Sequence, residues 1–90
     1  MSVVKHKIIE EIALIEISNP PVNAISAAVR IGLLETIENL SINEKIKAIV
    51  ITAPERTFLA GADIKEFGKK VDAPILGKIC DKIESLNKIV

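Results

Sequence analysis

Two short stretches near the start of the chain alternate between apolar and polar positions in the manner of β-strands. Residues 3–9 and 12–18 are rich in Val and Ile, and only two glutamates separate them. In the second stretch Ala13, Ile15 and Ile17 share one face, because successive side chains of a strand point to opposite sides. The pattern predicts a hairpin of two short strands.

A loop and an amphipathic helix are predicted next. The two prolines that follow Asn19 have no N–H to donate, so the strand ends there. Ser26 is a good N-cap residue for a helix over 27–40, where apolar positions recur at helical spacing. The predicted apolar side consists of Ala27, Ile31 and Leu34, with Leu33, Ile37 and Leu40 beside them. The predicted outer side carries Glu35, Glu38 and Asn39.

A nearly continuous apolar run at 47–52 is typical of a parallel strand covered on both faces. With the strand 12–18 and the helix 27–40 it predicts a βαβ unit with a right-handed crossover. A turn and a short helix over 63–67 follow, because Asp63 and Glu66 have the spacing of a capping box.

A last helix is predicted from about residue 72, with Pro74 in its first turn. Its predicted buried stripe is Ile75, Ile79, Ile83 and Leu86, with Leu76 alongside. Ile89 and Val90 have the character of the beginning of another buried strand. Since termini are usually polar and frayed, we expect a truncated chain. The predicted fold class is α/β, a hairpin followed by βαβ and a further helix (ββαβαα), in one unit spanning 1–90.

The charge balance argues against several classes of partner. The chain of 90 residues carries 12 basic and 12 acidic side chains, which removes the electrostatic case for nucleic acid or an anionic membrane. No apolar run approaches the roughly 20 residues of a membrane span, and charges interrupt the first 16 residues, unlike a secretory signal. The lone Cys80 cannot form a cysteine metal site and suits a reducing compartment. We therefore expect a cytoplasmic protein without a metal site.

The apolar content predicts a packing partner. Apolar residues make up 49% of the chain, whereas aromatic residues make up 2%. A chain of this size buries only about 60% of the surface that its unfolded form exposes. We therefore expect it to pack against another copy or against a missing remainder of itself.

The segment FLAGADIKEF, residues 58–67, is the most informative stretch for chemistry. It places glycine between small residues at a turn into a helix N-terminus, where backbone N–H groups lack intrahelical partners. An N–H of this kind, aimed at a carbonyl oxygen, is half of an oxyanion hole. The alternative is a turn that needs Gly61 only for its geometry and Asp63 only as a cap.

This segment resembles the acyl-CoA-binding segment of the crotonase (enoyl-CoA hydratase/isomerase) superfamily. NPPVNAIS at 19–26 is similar to the first loop of that family, and AIVIT at 48–52 to its second parallel strand. NPPVNAIS together with VRIGL at 29–33 looks most like the N-terminal hydratase/isomerase half of multifunctional fatty-acid β-oxidation enzymes. The resemblance extends over essentially all of the chain and implies a partial crotonase-like fold without its later repeats.

The resemblance implies one catalytic group, the backbone N–H of Ala62, which would polarise the carbonyl of an acyl-CoA thioester. It implies no prosthetic group, because coenzyme A is part of the substrate. The implied substrate-binding positions are Val22, Ala24, Ala60, Gly61, Asp63, Ile64 and Lys65.

The implied binding roles follow from position in the motif. Ala60 and Ile64 would contact the adenine through backbone atoms, and Asp63 would hold the turn. Val22 and Ala24 would line the same groove from the first loop. Lys65 would meet a CoA phosphate, or else it is a solvated helix lysine.

The chain departs from the family where catalysis is concerned. Complete crotonases continue into a glycine-rich loop with the second oxyanion N–H, and then to catalytic glutamates; this chain stops before both. General acid–base catalysis needs carboxylates together in a closed site, and the pattern brings no two glutamates together. We expect that the chain alone does not hydrate enoyl-CoA, and whether it is itself an enzyme stays open.

Three functional readings therefore remain. The first is a fragment of an enoyl-CoA hydratase/isomerase, and the second a non-catalytic module that assembles with itself or with a homologue. The third is another CoA-thioester reaction of the superfamily. For other reactive side chains we expect His6 at the surface, Cys80 without a nucleophilic role and Arg30 in a structural salt bridge.

Overall fold

A computed structural model describes residues 3–20, 23–53, 58–59, 61 and 73–90. These residues form strand β1 (Val4–Ile9), strand β2 (Ile12–Ile17), helix α1 (Ala27–Ser41), strand β3 (Ala48–Thr52) and helix α2 (Leu76–Ser85). The element order confirms the predicted α/β class. The short helix predicted over 63–67 lies outside the described residues.

The strands form one sheet in the order β1-β2-β3. β1 and β2 pair antiparallel with Ile9 opposite Ile12, so Glu10 and Glu11 alone make the turn. Glu10 has a φ of 56°, as tight two-residue hairpin turns require. β2 and β3 pair in parallel, from Ile12 beside Ala48 to Glu16 beside Thr52. Helix α1 connects the two parallel strands, which confirms the predicted βαβ unit.

One face of the sheet forms the core. Ala13, Ile15 and Ile17 of β2 are fully buried, as their alternation predicts. Helix α1 packs on this face, and Ser26 caps it by accepting a hydrogen bond from the Val29 N–H. The remaining buried apolar residues are Val4, Val29, Leu33, Ile37, Leu40, Ile46, Ile49 and Ile79.

The predicted apolar side of α1 is partly wrong. The buried stripe is Val29, Leu33, Ile37 and Leu40. Ile31, predicted at the centre of the stripe, is 38% exposed. The helix is therefore rotated so that the 29–33–37–40 ridge fills the space above β2, a choice that depends on the shape of the sheet surface. The predicted outer residues Glu35, Glu38 and Asn39 are exposed.

The opposite face of the sheet is not covered by the described elements. The register places Ile9, Ile12 and Ala48 in one row, and Leu14 and Val50 share the next. Ile9, Ile12 and Val50 are all exposed. The prediction that the third strand is covered on both faces is therefore wrong for the described residues.

The last helix begins later than predicted. It starts at Leu76, and Ile75 is its N-cap in extended conformation. Ala73 and Pro74 are outside the helix, in keeping with the steric bias against helical geometry at a residue before proline. Ile79 is fully buried, but Ile75, predicted in the buried stripe, is 73% exposed because it precedes the helix.

The segment after α2 returns to the sheet. Ile89 forms a parallel bridge with Ala48, and the Ile49 N–H donates to the Ile89 carbonyl at 2.8 Å. Lys88 donates from Nζ to the carbonyls of Asn43 and Ile46 at 3.0 and 2.8 Å. Ile89 thus makes an isolated parallel bridge beside β3, at the position where the beginning of a buried strand was predicted. The predicted burial is wrong for the described residues, because Ile89 is 78% and Val90 45% exposed.

Candidate functional site

Of the predicted site residues, Ala24 and Gly61 fall within the described part of the chain. The others, Val22, Ala60, Ala62, Asp63, Ile64 and Lys65, lie outside the described residues. Their roles stay predictions. The geometry of the site is therefore built from the loop 23–26 and from what holds Gly61.

Gly61 is joined directly to the loop that precedes α1. Its carbonyl accepts a hydrogen bond of 2.7 Å from the N–H of Ile25, the residue after Ala24. Gly61 has a φ of 99°, a conformation that side-chain-bearing residues rarely adopt. No atom lies within 4 Å of where its Cβ would be, so the backbone conformation and not crowding requires glycine. The two motifs, 36 residues apart in sequence, thus meet at this hydrogen bond.

Asn23 is a second connection between the same two segments, and sequence reasoning assigned it no role. Its side chain is fully buried. The amide Nδ2 donates to the carbonyl of Ile17 at 3.1 Å and to the carbonyl of Phe58 at 2.6 Å. Its φ of 58° is left-handed, a region in which asparagine is enriched. An asparagine after two prolines at the end of a strand was the available signal.

Asn19 stabilises the loop from the other end. Its backbone N–H donates to Oδ1 of Asn23 at 2.5 Å, and its carbonyl accepts from the Asn23 N–H at 2.9 Å. Its Nδ2 donates to the carbonyl of Ala24 at 2.8 Å and to Oγ of Ser26 at 3.3 Å. Since Ser26 also caps α1, the loop geometry is coupled to the start of that helix.

Arg30 links the loop to the segment before α2. Its Nε donates to the Pro74 carbonyl at 2.7 Å and a terminal nitrogen donates to the Ile25 carbonyl at 3.0 Å. The structural role predicted for Arg30 is therefore supported, and these two bonds reach main-chain carbonyls where a salt bridge was expected. Ile25 is held through both of its backbone polar groups, its N–H by Gly61 and its carbonyl by Arg30.

An open cleft of about 200 Å³ lies beside this hydrogen-bonded loop. It is lined by Ile25, Arg30, Ile75 and Leu76. Three of the four side chains are apolar, and the guanidinium supplies the polar part of the wall. Ile75 and Leu76 are exposed, so the cleft has an apolar lip.

No Asp or Glu side chain among the described residues is buried. Among them, no group of three His, Cys, Asp or Glu side chains could hold a metal ion. His6 and Cys80 are exposed, on β1 and α2. Glu10, Glu11, Glu35, Glu38 and Glu84 are all exposed as well. Neither α1 nor α2 has the length and apolar composition that a membrane span requires.

Comparison with known proteins gives a consistent result. A model of the family described as enoyl-CoA hydratase/isomerase matches residues 7–88. The peroxisomal bifunctional enzyme of Danio rerio is 42% identical over 79 residues, which are 88% of this chain and 11% of that protein. A glyoxysomal fatty acid beta-oxidation multifunctional protein from Cucumis sativus is 40% identical over 57 residues, 63% of this chain and 8% of that protein. The chain thus spans about a tenth of these relatives.

A solved structure gives the same answer for the fold. Methylmalonyl CoA decarboxylase superposes with a TM-score of 0.81 at 29% identity. The superposition includes 96% of this chain and 34% of that one. The described elements therefore have the arrangement found in about a third of a complete protein of this fold.

Proposed function

The chain belongs to the enoyl-CoA hydratase/isomerase family, and we propose that its Gly61 turn supplies one oxyanion-hole N–H to an acyl-CoA thioester. Its relatives include enzymes named for fatty-acid β-oxidation, and we place the substrate in that class. The proposal treats the chain as one part of a crotonase-like domain.

One observation carries the proposal, the bond between the Ile25 N–H and the Gly61 carbonyl. A trans peptide unit is planar, and its C=O and N–H point in opposite directions. A Gly61 carbonyl turned toward Ile25 would therefore direct the N–H of the same peptide unit, which belongs to Ala62, away from the loop. We propose this N–H as the donor to the thioester oxygen, on which negative charge develops in the transition state.

The cleft beside Ile25 supports the same assignment. Its apolar lining of Ile25, Ile75 and Leu76 suits the acyl chain of a thioester, which is hydrocarbon. The predicted contacts of Val22, Ala24, Ala60, Asp63, Ile64 and Lys65 with coenzyme A belong to this proposal. No prosthetic group is needed, and a cytoplasmic location stays a prediction of the sequence.

Binding of an acyl-CoA tests the proposal. Titration calorimetry with butyryl-CoA is expected to give saturable binding to the unchanged chain. Gly61→Ala would weaken it at least tenfold, because alanine disfavours a φ of 99° and the peptide unit would turn. Gly77→Ala is the matched control, since Gly77 lies in α2 with no atom within 4 Å of the added Cβ. Absence of binding, or equal affinity of both variants, would refute the proposal.

The chain alone is proposed to lack turnover. None of the glutamates named above is buried beside another, and acid–base catalysis needs positioned carboxylates. Incubation of the pure chain with crotonyl-CoA is expected to leave the enoyl absorbance unchanged. Hydration at a rate typical of the family would show that a catalytic carboxylate was overlooked.

A second candidate function is assembly without catalysis. It is favoured by the uncovered sheet face, on which Ile9, Ile12 and Val50 are exposed. Either a homo-oligomer or the rest of a crotonase-like domain would bury this face. Mass measurement in solution distinguishes the readings, because a stable monomer of 9.8 kDa would count against self-assembly.

A further inference from the structure

The buried amide of Asn23 makes bonds that a loop residue does not need for its own turn. The turn itself is closed by the backbone, since the Asn23 N–H donates to the Asn19 carbonyl. The side chain reaches instead to Phe58, 35 residues further along the chain, at 2.6 Å. Its other donated bond, to Ile17, anchors it to the last residue of β2. Asn23 therefore fastens the segment that leads into the glycine turn to the sheet.

Two bonds from one three-residue stretch hold that segment. Asn23 holds the Phe58 carbonyl with its side chain, and Ile25 holds the Gly61 carbonyl with its N–H. The two carbonyls belong to residues three positions apart, so both ends of the short approach to the turn are anchored. Fixing these two carbonyls restricts the backbone rotations that would turn the peptide unit after Gly61.

Asparagine suits this position for two independent reasons. It tolerates the left-handed backbone that turns the chain after the prolines, and its amide carries two donors and one acceptor. The donors bind Ile17 and Phe58, and the acceptor binds the Asn19 N–H. Aspartate would keep the acceptor, but it would place a negative charge against two carbonyl oxygens. Glycine would tolerate the backbone conformation but would make none of the three side-chain hydrogen bonds.

We infer that Asn23 is a positioning residue for the oxyanion donor, acting through Phe58 and Gly61 on the peptide unit that follows Gly61. The inference rests on the proposed function and adds a residue that contacts neither thioester nor coenzyme A.

The test uses Asn23→Gly, which permits the left-handed φ of 58° and removes the side-chain amide. The probe is butyryl-CoA with a 13C-labelled thioester carbonyl, whose stretching frequency falls when an N–H donor polarises it. Hydrogen exchange of the Ile25 amide reports the turn without any ligand. Ile37→Val is the control for a purely structural effect, since it weakens the core in α1 away from the turn. All chains are measured in sucrose, which favours the folded state and keeps Asn23→Gly folded.

For Asn23→Gly we expect at most half of the carbonyl frequency shift, and Ile25 exchange at least tenfold faster. Ile37→Val is expected to keep both the frequency shift and the Ile25 protection. A full frequency shift in Asn23→Gly would overturn the inference while the proposed function stands. No frequency shift in the unchanged chain would overturn the proposed function itself. Equal losses of the frequency shift and of Ile25 protection in Asn23→Gly and Ile37→Val would overturn the inference, because the effect of Asn23 would then be that of any residue that stabilises the fold.

Discussion

Arg30 of helix α1 donates a hydrogen bond of 2.7 Å to the carbonyl of Pro74, 44 residues away in sequence. The same guanidinium donates to the Ile25 carbonyl at 3.0 Å. One side chain thereby connects the loop before α1 with the segment before α2. Lysine would not reproduce the two bonds in this geometry, because Arg30 donates from two different nitrogens of one plane and an ammonium group has only one nitrogen.

Arg30→Met is therefore expected to lower the free energy of unfolding by about 1–3 kcal/mol, since charged hydrogen bonds to partly buried carbonyls are lost. Arg30→Lys should lose roughly half as much, because it keeps the charge but not the fork. Urea denaturation of the three chains measures both values. Equal stability of all three would show that the two carbonyls are satisfied without Arg30.

Substitution of glycine by alanine is expected to have opposite effects on stability at Gly32 and at Gly77. A Cβ on Gly32 would lie 3.0 Å from Cβ and Cγ2 of Val4, a nearly buried residue of β1. Gly32→Ala should therefore cost about 1–3 kcal/mol by overpacking, despite the better helix propensity of alanine. Gly77→Ala meets no atom within 4 Å and should stabilise by up to about 1 kcal/mol. Thermal unfolding distinguishes them, and stabilisation by both changes would contradict the close approach of α1 to β1.

Ile37 and Ile42 form a matched pair for the core. Ile37 of α1 is fully buried, whereas Ile42 at the C-cap of the same helix is 81% exposed. Ile37→Ala should cost about 2–5 kcal/mol through lost burial and the cavity that remains. Ile42→Ala should change stability by less than about 0.5 kcal/mol. A large loss on mutating Ile42 would indicate that a further copy of the chain covers it.

Lys88 is expected to control the segment that joins the sheet beside β3. Its Nζ binds the carbonyls of Asn43 and Ile46, two residues of the connection between α1 and β3. The Ile49 amide donates to the Ile89 carbonyl, so Lys88→Met should speed hydrogen exchange of that amide. The rate should rise about tenfold for each 1.4 kcal/mol by which the variant lowers the free energy of opening this segment. Lys45→Met, at an exposed position nearby, is the control and should leave that amide unchanged. Unaltered exchange in both variants would mean that the pairing with Ile89 holds without Lys88.

Local patterns identified most of the secondary structure. Alternation predicted β1 and β2 and the buried face at Ala13, Ile15 and Ile17, because the two-residue period of a strand is dictated by backbone geometry. The cap at Ser26 was equally predictable, since a hydroxyl at that position satisfies an N–H that the helix cannot. The apolar character of Ile89 indicated a buried strand, whereas the structure has a single bridge there and leaves the side chain exposed.

The rotation of α1 and the start of α2 were not predictable to the same degree. Ile31 and Val29 are both apolar, and the packing of α1 against α2, β1 and β2 decides which one is buried. Ile75 has an apolar side chain on a helical period, yet it is the N-cap of the helix, and the carbonyl of the preceding Pro74 accepts a hydrogen bond from Arg30. A contact 44 residues away has no local signature in the sequence.

By itself the sequence determined the family, the order of the elements and the segment that turns at Gly61, because these depend on residue types at short spacing. Only the tertiary structure decided what holds the turn. Asn23 and Ile25 reach Phe58 and Gly61 across more than thirty residues of chain, and each bond exists because parallel strands bring the ends of β2 and β3 to the same edge of the sheet. Such a meeting of distant backbone groups depends on the packed fold and not on the neighbours of any residue in sequence.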